Sequence, residues 1–297
     1  MLLLCMLLAP GADPVPATDD VAKKMLPVYT REAADYSIAV ASAPRQALEL
    51  KKEPVFEWSN PTREGSQQGV VFLWLRDGRP AAIGSIFSQP HTKPDGRQVI
   101  HEFHALDTEK LIVTRPMGVL NEWKPEAGLA RKELPGAPAP AATAPARLIQ
   151  MRKLAAEFSG HTVDPEKKRW ELRLLPTPLY RYPGAKAGVV DGALFALVST
   201  AGTDPEVLLL IEAKLTDGTL AWEYACGRFS DWELRVKRKN KEVYASVPSE
   251  ANPMFHDPQH LYRLYPEKVV TPEGKLLARI RSTPKAPWGE VIPVEDK

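Results

Sequence analysis

The sequence predicts an α+β protein made of two tandem copies of one unit, a helix packed on a curved antiparallel β-sheet. First, short apolar words recur in the same order in both halves, offset by about 122 residues. Second, each half contains a helix-like segment followed by strand-like runs that are separated by turn sequences. A helix lying across a sheet buries the apolar face of both elements. A β-sandwich with decorating helices is the alternative.

Composition narrows the class of protein. The chain has 297 residues, of which 44% are hydrophobic and 26% charged, and these proportions exclude a wholly disordered chain. Its 39 basic and 37 acidic residues give a net charge of +2, so we expect no nucleic-acid partner. No apolar run reaches the roughly 18 residues of a membrane-spanning helix, so the chain is predicted not to span a membrane.

The N-terminus resembles a secretory signal. Met1–Ala9 is an apolar block, followed by Pro10 and small residues, although no Lys or Arg precedes it and it is short. We therefore predict a signal segment at residues 1–12, a flexible leader at 13–27, and export to the periplasm or the cell exterior. Because Leu4 precedes Cys5 where a lipoprotein needs a small residue, a lipid anchor is not expected.

A second composition break divides the chain. Residues 129–147 are rich in Pro and Ala, which favour extended, solvated backbone and predict a semi-rigid linker. The first copy is then residues 28–128 and the second 148–252, with a C-terminal extension at 253–297. Without the signal, Cys226 is the last cysteine, so the fold is predicted to depend on its core and not on disulfides.

The repeat consists of matching words in a common order. Two unrelated β-rich halves are the alternative, because each short match could arise by chance. The matches are Ala33–Ser37 with Ala155–Ser159, Pro54–Trp58 with Pro178–Tyr182, Gly69–Phe72 with Gly192–Phe195, Glu102–Phe103 with Glu223–Tyr224, and Leu111–Val113 with Leu234–Val236.

Periodicity and turn residues predict the elements in chain order. Helices are expected at Arg31–Val40 and Leu148–Phe158, where apolar residues recur with helical spacing. Sequences such as Asp77-Gly78 and Asp217-Gly218 predict hairpins. The predicted strands are Val70–Leu75, Ala81–Phe87, Gln98–Leu106, Leu111–Thr114, Ala193–Val198, Val207–Ala213, Leu220–Cys226 and Glu233–Lys237. This element order resembles cystatin-like and nuclear-transport-factor-like folds, a resemblance that implies nothing about activity.

Two histidine pairs are the candidate metal or catalytic groups. His101 and His104 lie three apart in a predicted strand, so their side chains should point to opposite faces, which disfavours a shared metal ion. His256 and His260 have the spacing of ligands on one helical turn, but Pro258 between them favours a turn instead. We therefore expect no metal and no cofactor, with these two pairs as the weak candidates.

Recognisable catalytic motifs are missing from the sequence. It contains no nucleophile elbow, phosphate-binding loop, zinc-protease motif or dinucleotide fingerprint. Glu102 and Glu223 align in the predicted copies and could form an acid–base pair, but they are more simply solvent-facing or paired with Arg. The basic run Arg235–Lys241 is most simply a solvated turn, with binding of an anionic polymer or lipid headgroup as the alternative.

Three phrases carry a family resemblance: VFLWLRDGRPAAIGSIF, LRLLPTPLYRYP and GTDPEVLLLIEA. They resemble an uncharacterised family of bacterial secreted proteins over roughly residues 28–250. The resemblance implies an exported protein and supplies neither an activity nor a catalytic residue.

The sequence therefore favours an exported, non-enzymatic binding or structural module, with an envelope protein or polysaccharide as the expected kind of partner. The alternative is an extracytoplasmic hydrolase with a site in the first copy or between the copies. His101, His104 and Asp107 would then be its candidate catalytic residues, because they are polar residues of the first copy alone.

Overall fold

The computed structural model describes residues 18–60, 66–92, 96–184, 188–200, 202–248, 257–283 and 286–294. This part of the chain is mainly β, with 53% strand and 11% helix in two helices and two large antiparallel sheets, one of which curls into a half-barrel. The predicted antiparallel sheets are therefore present, whereas the predicted α+β class is corrected to mainly β.

The elements follow one another in the same order in the two halves. The first half contains α1 (Thr18–Ala34), β1 (Ser37–Val40), β2 (Glu49–Leu50), β3 (Phe56–Asn60), β4 (Gln67–Arg76), β5 (Arg79–Pro90), β6 (Arg97–Ala105) and β7 (Leu111–Thr114), and β8 (Lys132–Glu133) lies between the halves. The second half contains α2 (Ala144–Ala155), β9 (Phe158–Val163), β10 (Arg169–Leu174), β11 (Tyr180–Pro183), β12 (Val189–Ser199), β13 (Pro205–Thr216), β14 (Thr219–Arg228), β15 (Glu233–Arg238) and β16 (Lys241–Ser246). The chain continues with β17 (Tyr262–Val270), β18 (Leu276–Thr283) and β19 (Ala286–Pro293).

Strand pairing defines two large sheets and a small ribbon. The first sheet has the order β19-β18-β17-β6-β5-β4-β2, with β3 also paired to β4. The second sheet has the order β16-β15-β9-β10-β12-β13-β14-β8, with β11 also paired to β12. In the first half, β1 and β7 form a separate two-stranded ribbon, whereas their counterparts β9 and β15 pair within the second sheet.

The sheets lie back to back between the two helices. Helix α1 covers one face of the first sheet, where Met25 and Tyr29 join the apolar cluster that includes Phe72. Helix α2 covers the second sheet in the same way, with Met151 packed in the cluster around Phe195. The remaining faces share a third cluster, in which residues of β4 and β5 join residues of β13 and β14. The order of layers is therefore helix, sheet, sheet, helix.

Both predicted helices need correction at their ends. Residues 18–27, assigned to a flexible leader, form the first part of α1, and Ser37–Val40 form β1 instead of continuing the helix. The β-branched residues Ile38 and Val40 are buried there and favour extended backbone. Helix α2 begins at Ala144, inside the predicted linker, and ends before Phe158, which opens β9.

The C-terminal extension completes the first sheet. Strand β17 pairs along its length with β6, so Tyr265 lies opposite His101 and Tyr262 lies opposite His104. Strands β18 and β19 continue the sheet outward to its edge. Strands β17, β18 and β19 are thus an integral part of the sheet that the first half begins.

Candidate functional site

A groove runs between helix α1 and strands β3 and β4. Its volume is about 470 Å³, within the range of about 300–1,000 Å³ that is typical of small-molecule sites. Most of the wall is apolar, and polar side chains stand at its edge. The groove is lined by Ala22, Lys23, Leu26, Tyr29, Phe56, Glu57, Trp58, Ser59, Gln68, Gly69, Val70 and Thr203.

Hydrogen bonds fix the two largest ring systems of the groove. The hydroxyl of Tyr29 lies 2.7 Å from Ser88 Oγ and donates to the Gln68 carbonyl at 3.2 Å, and Arg97 Nε donates to Ser88 Oγ at 2.8 Å. Burial raises the pKa of Tyr29 to about 12, so the phenol stays protonated. Trp58 donates from Nε1 to Ser85 Oγ at 3.1 Å. These rings form a wall that needs little reorganisation on binding.

A buried polar cluster lies farther along the same helix. Tyr36 Oη lies 2.6 Å from His101 Nδ1, and it is also hydrogen bonded to the hydroxyl of Tyr265. On its other side, His101 places Nε2 at 3.5 Å from Glu32 Oε2. Lys268 Nζ donates to Glu32 Oε1 at 2.6 Å. The cluster therefore ties the end of α1 to β6 and β17.

Burial and charge set the ionisation of this cluster. Burial alone would raise the pKa of Glu32, but contacts with His101 and Lys268 outweigh it and lower this pKa to about 2. Burial also lowers the pKa of His101 below its usual value of 6.5. We therefore assign a carboxylate to Glu32 and a neutral imidazole to His101 near pH 7.

The three catalytic candidates of the sequence do not converge. His101 lies under α1, whereas His104 faces the second sheet, where a Cβ added at Gly227 would lie 3.0 Å from its Nε2. His104 donates from Nδ1 to the Ala105 carbonyl at 2.7 Å, and burial lowers its pKa to about 4. Asp107 lies 3.4 Å from Arg76 and accepts from the Glu109 backbone at 2.9 Å. The geometry gives the hydrolase alternative no common site at these residues.

The candidate metal ligands can be located only in part. His256 lies outside the described residues, and His260 is 3.3 Å from Asp257. In the described ranges, no group of three or more His, Cys, Asp or Glu is placed to hold a metal ion.

Register changes the predicted alignment of the two glutamates. Across β4, β5 and β6, the residues that lie opposite one another are Phe72, Gly84 and Phe103. Across β12, β13 and β14, they are Phe195, Leu209 and Cys226. If Phe72 corresponds to Phe195, then Glu102 corresponds to Ala225, two positions beyond Glu223. Glu102 instead accepts a hydrogen bond from Tyr262 at 2.7 Å.

The same register places aromatic side chains at two positions of the polar cluster of the first half. His101 then corresponds to Tyr224, and Tyr36 corresponds to Phe158. The ring centres of Tyr36 and His101 lie 5.7 Å apart, and those of Phe158 and Tyr224 lie 5.4 Å apart. Similar ring packing thus occurs under both helices, but the histidine of this packing, His101, occurs only under α1.

Comparison of the chain with family models, with curated proteins and with solved structures found no match. Among the described residues, no helix is both long and apolar enough to cross a membrane.

The basic run that the sequence analysis identified forms part of a β-hairpin. Arg235–Lys241 lies in the β15–β16 hairpin, where Arg238 is buried against Glu157 with Nε donating at 2.8 Å. The predicted solvated turn therefore describes Lys239 and Asn240, which have positive φ, but not Arg238.

Cys226 is a buried, free cysteine, and burial raises the pKa of its thiol to about 12.

Sequence reasoning missed most of the residues beneath α1. Trp58 enters the sequence analysis only as the end of a matching word of the repeat, whereas in the structure it is buried and lines the groove. Glu32 is the residue from which the sequence could have indicated the buried polar cluster, because a charged side chain on the buried face of a helix requires a partner. The positions of Tyr29 and Tyr265 depend on strand pairing between distant segments, which short sequence patterns do not contain.

Proposed function

We propose that this protein is a non-enzymatic binding module whose ligand site is the groove between α1 and strands β3 and β4. The ligand is a small molecule with an apolar body, and it lies against Tyr29, Phe56 and Trp58. The observation that carries the proposal is the groove of about 470 Å³, whose rings are fixed by internal hydrogen bonds. Apolar walls with few, fixed polar groups are typical of small-molecule sites.

The polar residues of the groove suit orientation of a ligand. Lys23 and Glu57 are exposed at its edge and carry opposite charges, and Ser59 and Thr203 bring hydroxyl groups. Thr203 Oγ1 donates to the Ser59 carbonyl at 2.8 Å, which fixes a residue of the second half against β3. An apolar ligand with a polar end would fit this combination.

The test places a bulky side chain of α1 in the groove. The probe is 1-anilinonaphthalene-8-sulfonate, an apolar ring system with a polar group whose emission rises on binding. Ala22 lines the groove, so Ala22→Phe should weaken binding of the probe by about tenfold or more. Ala34→Phe is the matched control, because Ala34 is exposed at the end of the same helix. Equal binding by both variants and the unaltered protein would contradict the proposal.

We also propose that the module arose by internal duplication. The support is that β2, β3 and β5 pair with β4 as β10, β11 and β13 pair with β12. Phe72 and Phe195 are both fully buried beneath a helix. In an experimental structure, residues 37–114 should superpose on 158–238 with one rigid transformation. Failure of β2, β4, β5 and β6 to superpose in that order on β10, β12, β13 and β14 would contradict the duplication.

Export is part of the proposal, with an envelope protein or polysaccharide as the partner class. Its support is the apolar segment Met1–Ala9 in the sequence, which lies outside the described residues. N-terminal sequencing of the mature protein from its native envelope should show loss of residues 1–12. An intact Met1 would contradict export without affecting the groove.

A further inference from the structure

A second cavity lies beside the buried cluster at the end of α1. Its volume is about 190 Å³, and it opens next to the loop that follows β7. Arg115 lines it and also a neighbouring cavity of about 330 Å³. Its lining is rich in charge: Asp35, Arg115, Glu267, Lys268 and Arg279.

The guanidinium of Arg115 is buried, yet its hydrogen bonds are incomplete. Its side chain is 4% exposed, and NH1 donates to Glu267 Oε1 at 3.2 Å and to the Asn121 carbonyl at 3.3 Å. Nε has no hydrogen-bond partner among the described residues. A buried donor without an acceptor is destabilising, so a ligand that accepts from this guanidinium would offset that cost.

A second buried guanidinium has the same feature. Arg263 is 4% exposed, and its Nε and NH1 have no hydrogen-bond partner within the described part of the chain. It lies 4.7 Å from the ring centre of Tyr265, and Arg115 lies 4.4 Å from that of Tyr36. Because the two tyrosine hydroxyls are hydrogen bonded to each other, both guanidiniums flank one aromatic pair.

Positive charge exceeds negative charge around this cavity. The cations are Arg115, Arg263, Lys268 and Arg279, and the nearby carboxylates are Glu32, Asp35 and Glu267. Glu32 is paired with Lys268, and both oxygens of Glu267 are engaged by Arg115 and Asn121. Glu122, which also influences Arg263, is paired with Lys124 at 2.7 Å. The cations therefore outnumber these carboxylates by one, and this excess favours binding of an anion.

We propose that this cavity binds a small oxyanion, a carboxylate or phosphate group, through Arg115 with Lys268 and Arg279 at its side. Guanidinium groups match the planar or tetrahedral oxygens of such anions and bind them with charge-assisted hydrogen bonds. Arg279 already donates to the Gly118 carbonyl at 2.8 Å, which holds it near the cavity. This site is distinct from the groove and does not depend on the proposed function.

The test is isothermal titration calorimetry of the full chain with sodium phosphate and, separately, sodium acetate, at constant ionic strength set with sodium chloride. We expect saturable binding of at least one anion with a dissociation constant of about 1 mM or tighter. Phosphate alone would assign a phosphate group, and acetate alone a carboxylate. No saturable binding of either would overturn the proposal.

Two variants on one strand locate the site. Arg279 and Arg281 are both exposed residues of β18, but only Arg279 lines the cavity. Arg279→Gln should weaken binding by about fivefold or more, and Arg281→Gln by less than about twofold, since diffuse surface charge is screened by salt. Equal losses would show non-specific attraction and overturn the site.

A third variant tests the guanidinium itself. Arg115→Lys keeps the charge but loses the planar fork, so binding should fall by about tenfold. Circular dichroism establishes whether this variant is folded, and the Arg279 and Arg281 pair decides the question if it is not. Unchanged binding in folded Arg115→Lys would overturn the role of Arg115.

Discussion

The carboxylate of Glu212 is fully buried and receives hydrogen bonds from three side chains. Arg79 donates from Nε and NH2 at 2.6 and 2.7 Å, Arg131 donates from Nε at 2.9 Å, and the Tyr182 hydroxyl donates at 2.8 Å. Arg79 belongs to the first sheet and Glu212 to the second, so the interaction joins the two. Burial opposes ionisation, but the two arginines outweigh it and lower the pKa of Glu212 to about 2.

Removing this charge should destabilise the fold strongly. Glu212→Gln leaves two buried arginines short of a counter-charge, so we expect a loss of about 3–5 kcal/mol in the free energy of unfolding near neutral pH. Glu223→Gln is the control: Glu223 lies directly opposite on β14, and its pair with Lys214 is partly exposed. Its loss should be below about 1 kcal/mol. Urea unfolding measures both.

The pH dependence of this effect has a definite sign. Because the pKa of Glu212 falls from 4.5 to about 2 on folding, its stabilisation is present above pH 4.5 and is lost as the pH falls toward 2. The difference between Glu212→Gln and the unaltered protein should therefore shrink over that interval. A difference that is constant with pH would show that packing, and not charge, causes the loss.

Helix α1 contains a proline in its interior. Pro27 is exposed, and Leu26 and Val28 beside it pack toward the sheet. Proline has no N–H to donate to the carbonyl four residues earlier, here that of Lys23, and its ring crowds that carbonyl. The helix is retained because Met25, Tyr29 and the buried cluster around Glu32 hold it against the first sheet.

Replacing this proline should stabilise the helix. We expect Pro27→Ala to raise the free energy of unfolding by about 1–3 kcal/mol, with the gain reduced by the greater freedom of the unfolded chain. Pro27→Gly is the matched control and should be less stable than Pro27→Ala by about 1 kcal/mol, as in a helix interior. Thermal unfolding followed by circular dichroism measures both. Equal stability of the two variants would contradict a helical role for this position.

The packing of each large sheet depends on the other sheet. Leu73 and Ile83 of the first sheet share one buried cluster with Leu208 and Leu210 of the second. The outer strands of the first sheet come from residues 262–293, after the second half of the chain. Neither half therefore completes its packing without the other.

We expect the whole chain to unfold in one cooperative transition. Calorimetry should give a ratio of calorimetric to van't Hoff enthalpy near one, which is the criterion for two-state unfolding. As a second measurement, Leu208→Ala should lower the single midpoint without splitting it, because Leu208 lies in the shared core. Two resolved transitions, only one of which moves in Leu208→Ala, would show that the halves fold independently.

Local patterns were sufficient for the hairpins and most strands. Asp77 and Gly78 both have positive φ, as do Asp217 and Gly218, and each pair joins two long antiparallel strands. Asp-Gly adopts this backbone at low cost, so the sequence alone determined these turns. The opposite directions of His101 and His104 also followed from alternation along one strand.

How the sheets meet and which residues form the sites depend on packing between distant segments of the chain. Strand β4 is buried on both faces, which is typical of an unbroken apolar run. Such a run does not indicate which other elements cover those two faces. Tyr36 and Tyr265 are 229 residues apart in the chain, and they meet because β17 pairs with β6. Short sequence patterns were therefore sufficient for the local elements, because the stability of a turn or a strand depends mainly on residues that are close together in the chain. Packing between distant elements decided the layers, the groove and the buried polar cluster.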